Sequence, residues 1–258
     1  MTTHNCDLCG SDKFTVLEAA LPYIGTEQPP VVCKDCGFIY VRERRSSEEI
    51  IASWKSIYAN SGYDPNWPGV RARLFYVAEW ISQNFMGQGA KHFDLGGGDG
   101  WFSSEMTRRG WRSTTADPAF EGGAKDVTPG QFDVVTLNWT LENCVDCIGL
   151  LKEAKRLLKQ NGHVVVATGS RIRVPTRKLL RSYFGTNPAD THAFRWSRLS
   201  LSRALQIAGF SEPMLNDYEQ NDVLLACAKS IERPLVPPIL NEHNAVLTHF
   251  KLWADTWA

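Results

Sequence analysis

One stretch constrains this chain more than any other: Lys91-His92-Phe93-Asp94-Leu95-Gly96-Gly97-Gly98-Asp99-Gly100-Trp101-Phe102. A short apolar run ends in a glycine cluster and passes into a helical pattern. That order predicts strand, tight turn, helix, the first turn of an open α/β nucleotide fold. Glycines let such a turn reach positive φ and let the backbone approach a ligand closely. The helix that follows points its N–H groups and the positive end of its dipole at that ligand. The spacing excludes a dinucleotide fingerprint. G-x-G-x-x-G begun at Gly96 needs a glycine where Trp101 stands, and begun at Gly98 it needs one where Ser103 stands. The pattern present is Gly96-x-Gly98-x-Gly100, with Asp94 at the strand end.

That pattern resembles motif I of class I S-adenosylmethionine (SAM)-dependent methyltransferases. The resemblance implies an α/β fold: a Rossmann-like, mostly parallel sheet whose last strand is antiparallel. It also implies SAM as cofactor, with the glycine turn against its methionine half and an acid at the tip of the second strand on its ribose. Trp111 to Ala116 reads as that strand, and Asp117 follows it. A carboxylate accepts two hydrogen bonds from a vicinal diol, so an acid there suits a ribose. The expected cofactor residues are Asp94, Gly96, Gly98, Asp117 and Asn138. Tyr63 joins them, and Tyr58 is expected beside it over the cofactor, because a helix before motif I often covers the SAM site in this family. An acid near the third strand often touches the adenine amino group, which makes Asp126 a candidate. The usual helix, third strand and further helix do not fit between Pro118 and Gln131. Only Ala124 to Val127 is left as a remnant of that strand, and this side of the pocket is expected to be open.

Cys6-Asp7-Leu8-Cys9-Gly10 and Cys33-Lys34-Asp35-Cys36-Gly37 form two C-x-x-C-G units, the pattern of a zinc ribbon. Each is a tight turn whose thiolates point the same way. Cys6, Cys9, Cys33 and Cys36 would then supply four tetrahedral ligands to a structural zinc. A redox pair accounts poorly for two units, and disulfides do not suit a reducing cytosol. A ribbon this small needs the metal as its main stabiliser. Cys144-Val145-Asp146-Cys147 has no second pair and reads as buried free thiols.

The sequence holds 28 basic and 28 acidic residues, so no global field draws it to nucleic acid or membrane. The N-terminus does not resemble a signal peptide and no apolar run is long enough to span a bilayer, so a soluble cytoplasmic protein is expected. The chain divides into a ribbon over 1–40, a helical cap over 41–90, a SAM-binding body over 91–230, and a Pro-rich connector with a helix over 231–258. In the cap, a helix through Tyr58 begins at Ser46 or Ser47. A second runs from Val70 to Phe85 with Leu74, Val77, Ala78 and Ile81 inward. In the body, Phe132 to Leu137 is a continuous apolar run suited to a central parallel strand. Asn138-Trp139-Thr140-Leu141-Glu142-Asn143 at its carboxyl end should face the transferable methyl group. A helix over Asp146 to Gln160 and a strand over His163 to Thr168 follow. Met214 to Tyr218 and Val223 to Ala228 form a closing hairpin. The terminal helix over Asn241 to Trp257 presents Val246, Phe250, Trp253 and Trp257, either to its own domain or to a partner, which leaves an oligomer open.

Arg171, Arg173, Arg177, Lys178, Arg181, Arg195, Arg198 and Arg203 share a stretch whose only acid is Asp190. This reads as a local site for an anionic acceptor. The ribbon, the body and the passage His192-Ala193-Phe194-Arg195-Trp196-Ser197 together resemble bacterial methyltransferases with an N-terminal zinc ribbon that act in sugar and surface-glycan pathways. The resemblance implies methylation of a sugar, sugar nucleotide or glycan. Relatives that methylate carbon often carry Glu-His after the fourth strand. Here the pair is Glu142-Asn143, and asparagine is no base, which puts that chemistry in doubt. For a hydroxyl acceptor the general-base candidates are His192, then Glu142, then Tyr183. An RNA methyltransferase using the ribbon as a clamp is the rival enzyme reading. Against it, the ribbon carries only Lys13 and Lys34 as basic residues between 6 and 36. A non-catalytic SAM-binding protein is the third reading.

Overall fold

The structure is a computed structural model that describes residues 1–24, 26–60, 67–120, 123–169, 179–184, 192–216, 223–233 and 238–256. The N-terminal part is built on short strands: β1 (Thr2–Thr3), β2 (Phe14–Val16), β3 (Pro30–Cys33), β4 (Ile39–Val41) and β5 (Glu43–Arg44), with a one-turn helix α1 (Leu21–Ile24) between β2 and β3. β2, β3 and β4 form an antiparallel meander, and β1 closes on β5 through Thr2 opposite Arg44. Helix α2 (Ser47–Ala59) starts at a reciprocal cap. The Glu49 N–H donates to Ser46 Oγ, and the Ser46 N–H donates to the Glu49 carboxylate at 2.7 Å. Helix α3 (Pro68–Asn84) opens with proline in its first turn, where a missing N–H does no harm, and buries Val77, Ala78 and Ile81.

The body follows as β6 (Lys91–Leu95), α4 (Trp101–Arg108), β7 (Arg112–Ala116), β8 (Phe132–Asn138), α5 (Cys147–Leu157) and β9 (Leu158–Gly169). It is completed by α6 (Leu180–Phe184), β10 (Phe194–Arg195), α7 (Arg198–Ile207), β11 (Met214–Leu215), β12 (Val223–Lys229) and α8 (His243–Thr256). Six strands make the main sheet in the order β11-β12-β9-β8-β6-β7. The pairs among β7, β6, β8 and β9 are parallel, and those of β12 and β11 are antiparallel. This is the expected Rossmann-like fold with its reversed closing hairpin.

Two segments depart most from expectation. The helix expected to reach Gln160 stops at Leu157, because Leu158 already pairs with Phe132 of β8 and the chain turns at Asn161 with φ 64°. The segment expected as a strand remnant, Ala124 to Val127, holds instead a 3₁₀ turn over Ala124–Asp126. Among the described residues no third parallel strand lies beside β7, which is the sheet edge.

The ribbon shares a sheet with the body. β10 pairs with β4, Phe194 opposite Tyr40 and Arg195 opposite Ile39, so the small sheet runs β10-β4-β3-β2. Helix α8 packs back on its own chain. Val246, Phe250 and Trp253 are buried with Leu17, Val32, Ile39, Leu180 and Phe184. Trp257, expected on the same face, lies outside the described residues. No described helix is long and apolar enough to cross a membrane.

Candidate active site

The turn after β6 takes the conformation its glycines allow. Gly96 and Gly98 have φ of 80° and 57°, and a Cβ on Gly96 would sit 2.4 Å from Thr140 Cγ2. The turn is held from below. Thr140 Oγ1 donates to the Gly96 carbonyl at 3.2 Å, and the Gly98 N–H donates to Asp117 Oδ2 at 3.0 Å. Asp117, at the tip of β7, also accepts the Ala119 N–H through Oδ1 at 2.8 Å. Its carboxylate is thereby locked in place, with lone pairs left on each oxygen.

Asp94 lies under the same turn, 1% exposed. Its Oδ1 accepts from Thr136 Oγ1 at 2.6 Å and from Asn138 Nδ2 at 3.0 Å. Its Oδ2 is buried with no hydrogen-bond partner, as is Asn138 Oδ1. Burial pushes the Asp94 carboxyl up to about 7, against the pull of the Thr136 and Asn138 bonds; the nearby Asp117 charge adds to the rise.

Past β8 the chain bends through Trp139, a bulky residue at φ 52°. Such a conformation costs about 1–3 kcal/mol and collects at functional sites. It is held by the Trp139 N–H donating to Ala167 O at 2.7 Å and by Asn143 Nδ2 donating to Trp139 O at 2.9 Å.

These groups open onto one cavity of about 1080 Å³ at the carboxyl ends of the parallel strands. Asp94, Gly96, Gly98, Asp117 and Asn138 all line it, and so does His192. His192 is placed by its neighbour. The Ala193 N–H donates to Glu142 O at 2.8 Å, and Ala193 O accepts the Val41 N–H at 2.8 Å.

A family model described as a methyltransferase domain matches residues 70–211. The chain belongs to the methyltransferase family and is a SAM-dependent enzyme. It is 28% identical over 185 residues to a ubiquinone biosynthesis O-methyltransferase of Pseudomonas aeruginosa, which spans 56% of this chain and 78% of that protein. The fold resembles the Burkholderia thailandensis 1,6-didemethyltoxoflavin-N1-methyltransferase, with a TM-score of 0.56 at 15% identity over 81% of this chain and 98% of that one. A SAM-dependent methyltransferase from Aquifex aeolicus matches with a TM-score of 0.50 at 13% identity, over 66% of this chain and all (100%) of that one.

The methyltransferase's cavity fits SAM by its own chemistry. The orphaned Asp94 Oδ2 and Asn138 Oδ1 are acceptors suited to an ammonium group. The glycine turn brings bare backbone to the cavity wall, where Gly96 and Gly97 leave no room for a Cβ, and Asp117 can take a diol.

Several sequence expectations land elsewhere. Tyr183 packs between Phe250 and Trp253, with ring centroids 5.7 and 5.0 Å away, and is not among the cavity residues. It belongs to the core under α8, because that helix folds back. Glu142 is 3% exposed and lies behind the cavity, its Oε2 buried without a hydrogen-bond partner. Burial pushes its carboxyl up to about 7, and the nearby Thr168 and Arg195 oppose this. Of the six residues expected to face the methyl group, Asn138, Trp139, Thr140 and Asn143 line the cavity, while Leu141 and Glu142 turn into the core. Asp126 is exposed and outside the lining, since the strand that would aim it is replaced by a 3₁₀ turn. Tyr63 lies outside the described residues, as do Arg171, Arg173, Arg177, Lys178 and Asp190. The described arginines do not gather into one anion site. Arg198 donates to Asn216 O, Arg203 donates to Leu8 O, and Arg195 is buried over the Tyr183 and Phe184 rings. His92 is fully buried between Ser113 and Thr136, and that burial drives it down to about 3, so it stays neutral.

Tyr58, expected over the cofactor, does line the cavity, while the sequence reading passed over Arg71, Arg73, Lys125 and the rest of the inner face of α2, which line it too. The signal for α2 was the shortened segment after Asp117, which leaves a gap that another element must wall. Away from the cavity, the sulfurs of Cys6, Cys9, Cys33 and Cys36 lie within 4.8 Å of one another, Cys6 to Cys36 at 3.5 Å and Cys9 to Cys33 at 3.4 Å. A tetrahedral zinc with bonds of about 2.3 Å holds its sulfurs about 3.8 Å apart, so this donor set fits one closely.

Proposed function

We propose that this enzyme transfers the SAM methyl group to a hydroxyl of a sugar, sugar nucleotide or glycan in the cytoplasm, with the four-cysteine cluster holding a structural zinc. The observation that carries the hydroxyl assignment is His192 on the wall of the cavity that also holds Asp94, the glycine turn and Asp117. The P. aeruginosa relative is named as an O-methyltransferase, which agrees with an oxygen acceptor. The sugar class rests on the ribbon together with the His192-to-Ser197 passage.

Bound SAM supplies a methyl group on an activated sulfonium leaving group. The chain's own task is therefore mainly to position its ligands. Asp94 and Asn138 hold the ammonium and Asp117 the ribose. Trp139 and Thr140 shape the floor where the acceptor oxygen approaches. His192 takes the hydroxyl proton as the new carbon–oxygen bond forms, a contribution of about 10²–10⁴-fold. Zinc in the cysteine cluster would be held by Cys6, Cys9, Cys33 and Cys36 and would serve to hold the ribbon.

Radiolabelled SAM given to fractionated cell extract, with wild type against Asp117→Ala and His192→Ala, tests this reading. Label in the nucleotide-sugar or glycan pool, lost in Asp117→Ala and reduced in His192→Ala with its pH dependence changed, is the expected result. Label in RNA would replace the sugar assignment. Unchanged turnover across pH in His192→Ala would remove that residue from the chemistry.

A further inference from the structure

The cavity does not end at Asp117. It is also lined by Pro118, Ala119, Gly123, Ala124 and Lys125, by Val145 ahead of α5, and by Gly149 and Leu150 in the first turn of α5. This is the side where β7 is the sheet edge and where no third parallel strand lies among the described residues. Helix α2 spans the gap instead. Tyr58, near its carboxyl end, stands over the glycine turn: its hydroxyl is 3.0 Å from where a Cβ on Gly98 would be, and its ring meets Phe120 edge-on at 4.5 Å. Glu48, near the amino end, lies within electrostatic reach of Lys125. Between them, Ser47, Ile51, Trp54 and Tyr58 follow one another at helical spacing on one face, and all four line the cavity.

A ligand whose ammonium sits at Asp94 and whose ribose sits at Asp117 must send its base out on the far side of the ribose. The base is flat and apolar on its faces, and the same cavity is lined by the apolar Ile51, Trp54, Ala124 and Leu150. We propose that α2 supplies the adenine seat in this enzyme, with Trp54 and Ile51 as the wall that a third strand and its following helix would otherwise build. The inference rests on SAM occupying the glycine turn and goes beyond it by assigning the base to a helix outside the matched methyltransferase region, which begins at residue 70.

Titration calorimetry of the full chain with S-adenosylhomocysteine, and separately with adenosine, tests it. Trp54→Ala should weaken both ligands by about tenfold, the loss expected when a stacked base is deprived of one aromatic partner. Trp54→Phe should restore most of that loss, which separates stacking from damage to the fold; circular dichroism of both variants checks the helix. Wild-type affinity for both ligands in Trp54→Ala would overturn the proposal and free that side of the cavity for the acceptor. A loss for S-adenosylhomocysteine without one for adenosine would place Trp54 at the amino-acid end and overturn it as well. If the wild type bound neither ligand, the cofactor assignment itself would fall and take this inference with it.

Discussion

Asp94 is buried, hydrogen-bonded through one oxygen and orphaned at the other. In the ligand-free protein its carboxyl titrates near 7, above the ordinary carboxylate value, because burial disfavours the charge. Glu142 is raised to about 7 for the same reason. A folded-state value above the unfolded one means stability that is complete below the ordinary carboxylate range and is lost as pH rises through about 7. Melting temperature of the ligand-free enzyme should therefore fall as pH rises from about 4 to about 7 and level off above. An ammonium beside Asp94 Oδ2 favours the ionised form, so S-adenosylhomocysteine should bind more tightly as pH rises through 7. Asp94→Asn should flatten that affinity profile and weaken binding by about 10- to 100-fold, the worth of a charged hydrogen bond. Calorimetric titration at pH 5.5, 7 and 8.5 reads both effects, and an unchanged profile would show that the ammonium lies elsewhere.

β10 connects two parts that the order of the chain keeps apart. Its two residues pair with β4 of the ribbon, while Ala193 just before it is bonded to both Val41 and Glu142, and His192 faces the cavity. Arg44 makes a second link. It is 2% exposed, donates to Asp7 inside the first cysteine knuckle at 2.9 and 2.5 Å, and donates to Val145 O at the cavity rim at 2.7 Å. Its guanidinium also lies 4.5 Å over the Phe194 ring. Stripping the proposed zinc with a chelator should therefore loosen more than the ribbon. Hydrogen exchange is expected to rise across 1–44 and also at 192–196, while β6 and β8 stay protected. Faster exchange confined to 1–44 would show that the two parts are uncoupled. Arg44→Ala should destabilise by about 3–5 kcal/mol in urea unfolding, since it leaves Asp7 as a half-buried charge without its partner.

Ribbon, body and C-terminal helix share buried surface, so the molecule is expected to unfold as a unit. Phe250 and Trp253 are fully buried against residues of the ribbon and of α6. Either one changed to alanine should cost about 3–5 kcal/mol and lower a single urea transition, and a separate early transition would show an independent strap. Much of this architecture is legible along the chain, because the forces behind it are local. Glycine spacing dictated the turn after β6, continuous apolar runs dictated β8 and β9, and the paired C-x-x-C-G units marked the cysteine cluster. Asp117 was legible because a strand tip aims its side chain without help from distant residues. The unread parts depend on contacts between distant segments. Periodicity shows that α8 has an apolar face but not that the face closes on Leu17 and Val32, and this closure is what places Tyr183 in the core. Helical spacing in α2 shows one side to be apolar but not that this side walls the gap beside β7. His192 stands at the cavity through a strand pairing with Tyr40, set by a register between distant residues. Local backbone preference and hydrophobic patterning thus specify the elements and the glycine turn, whereas the assembled site depends on which buried faces meet, a choice settled only by packing of the whole chain.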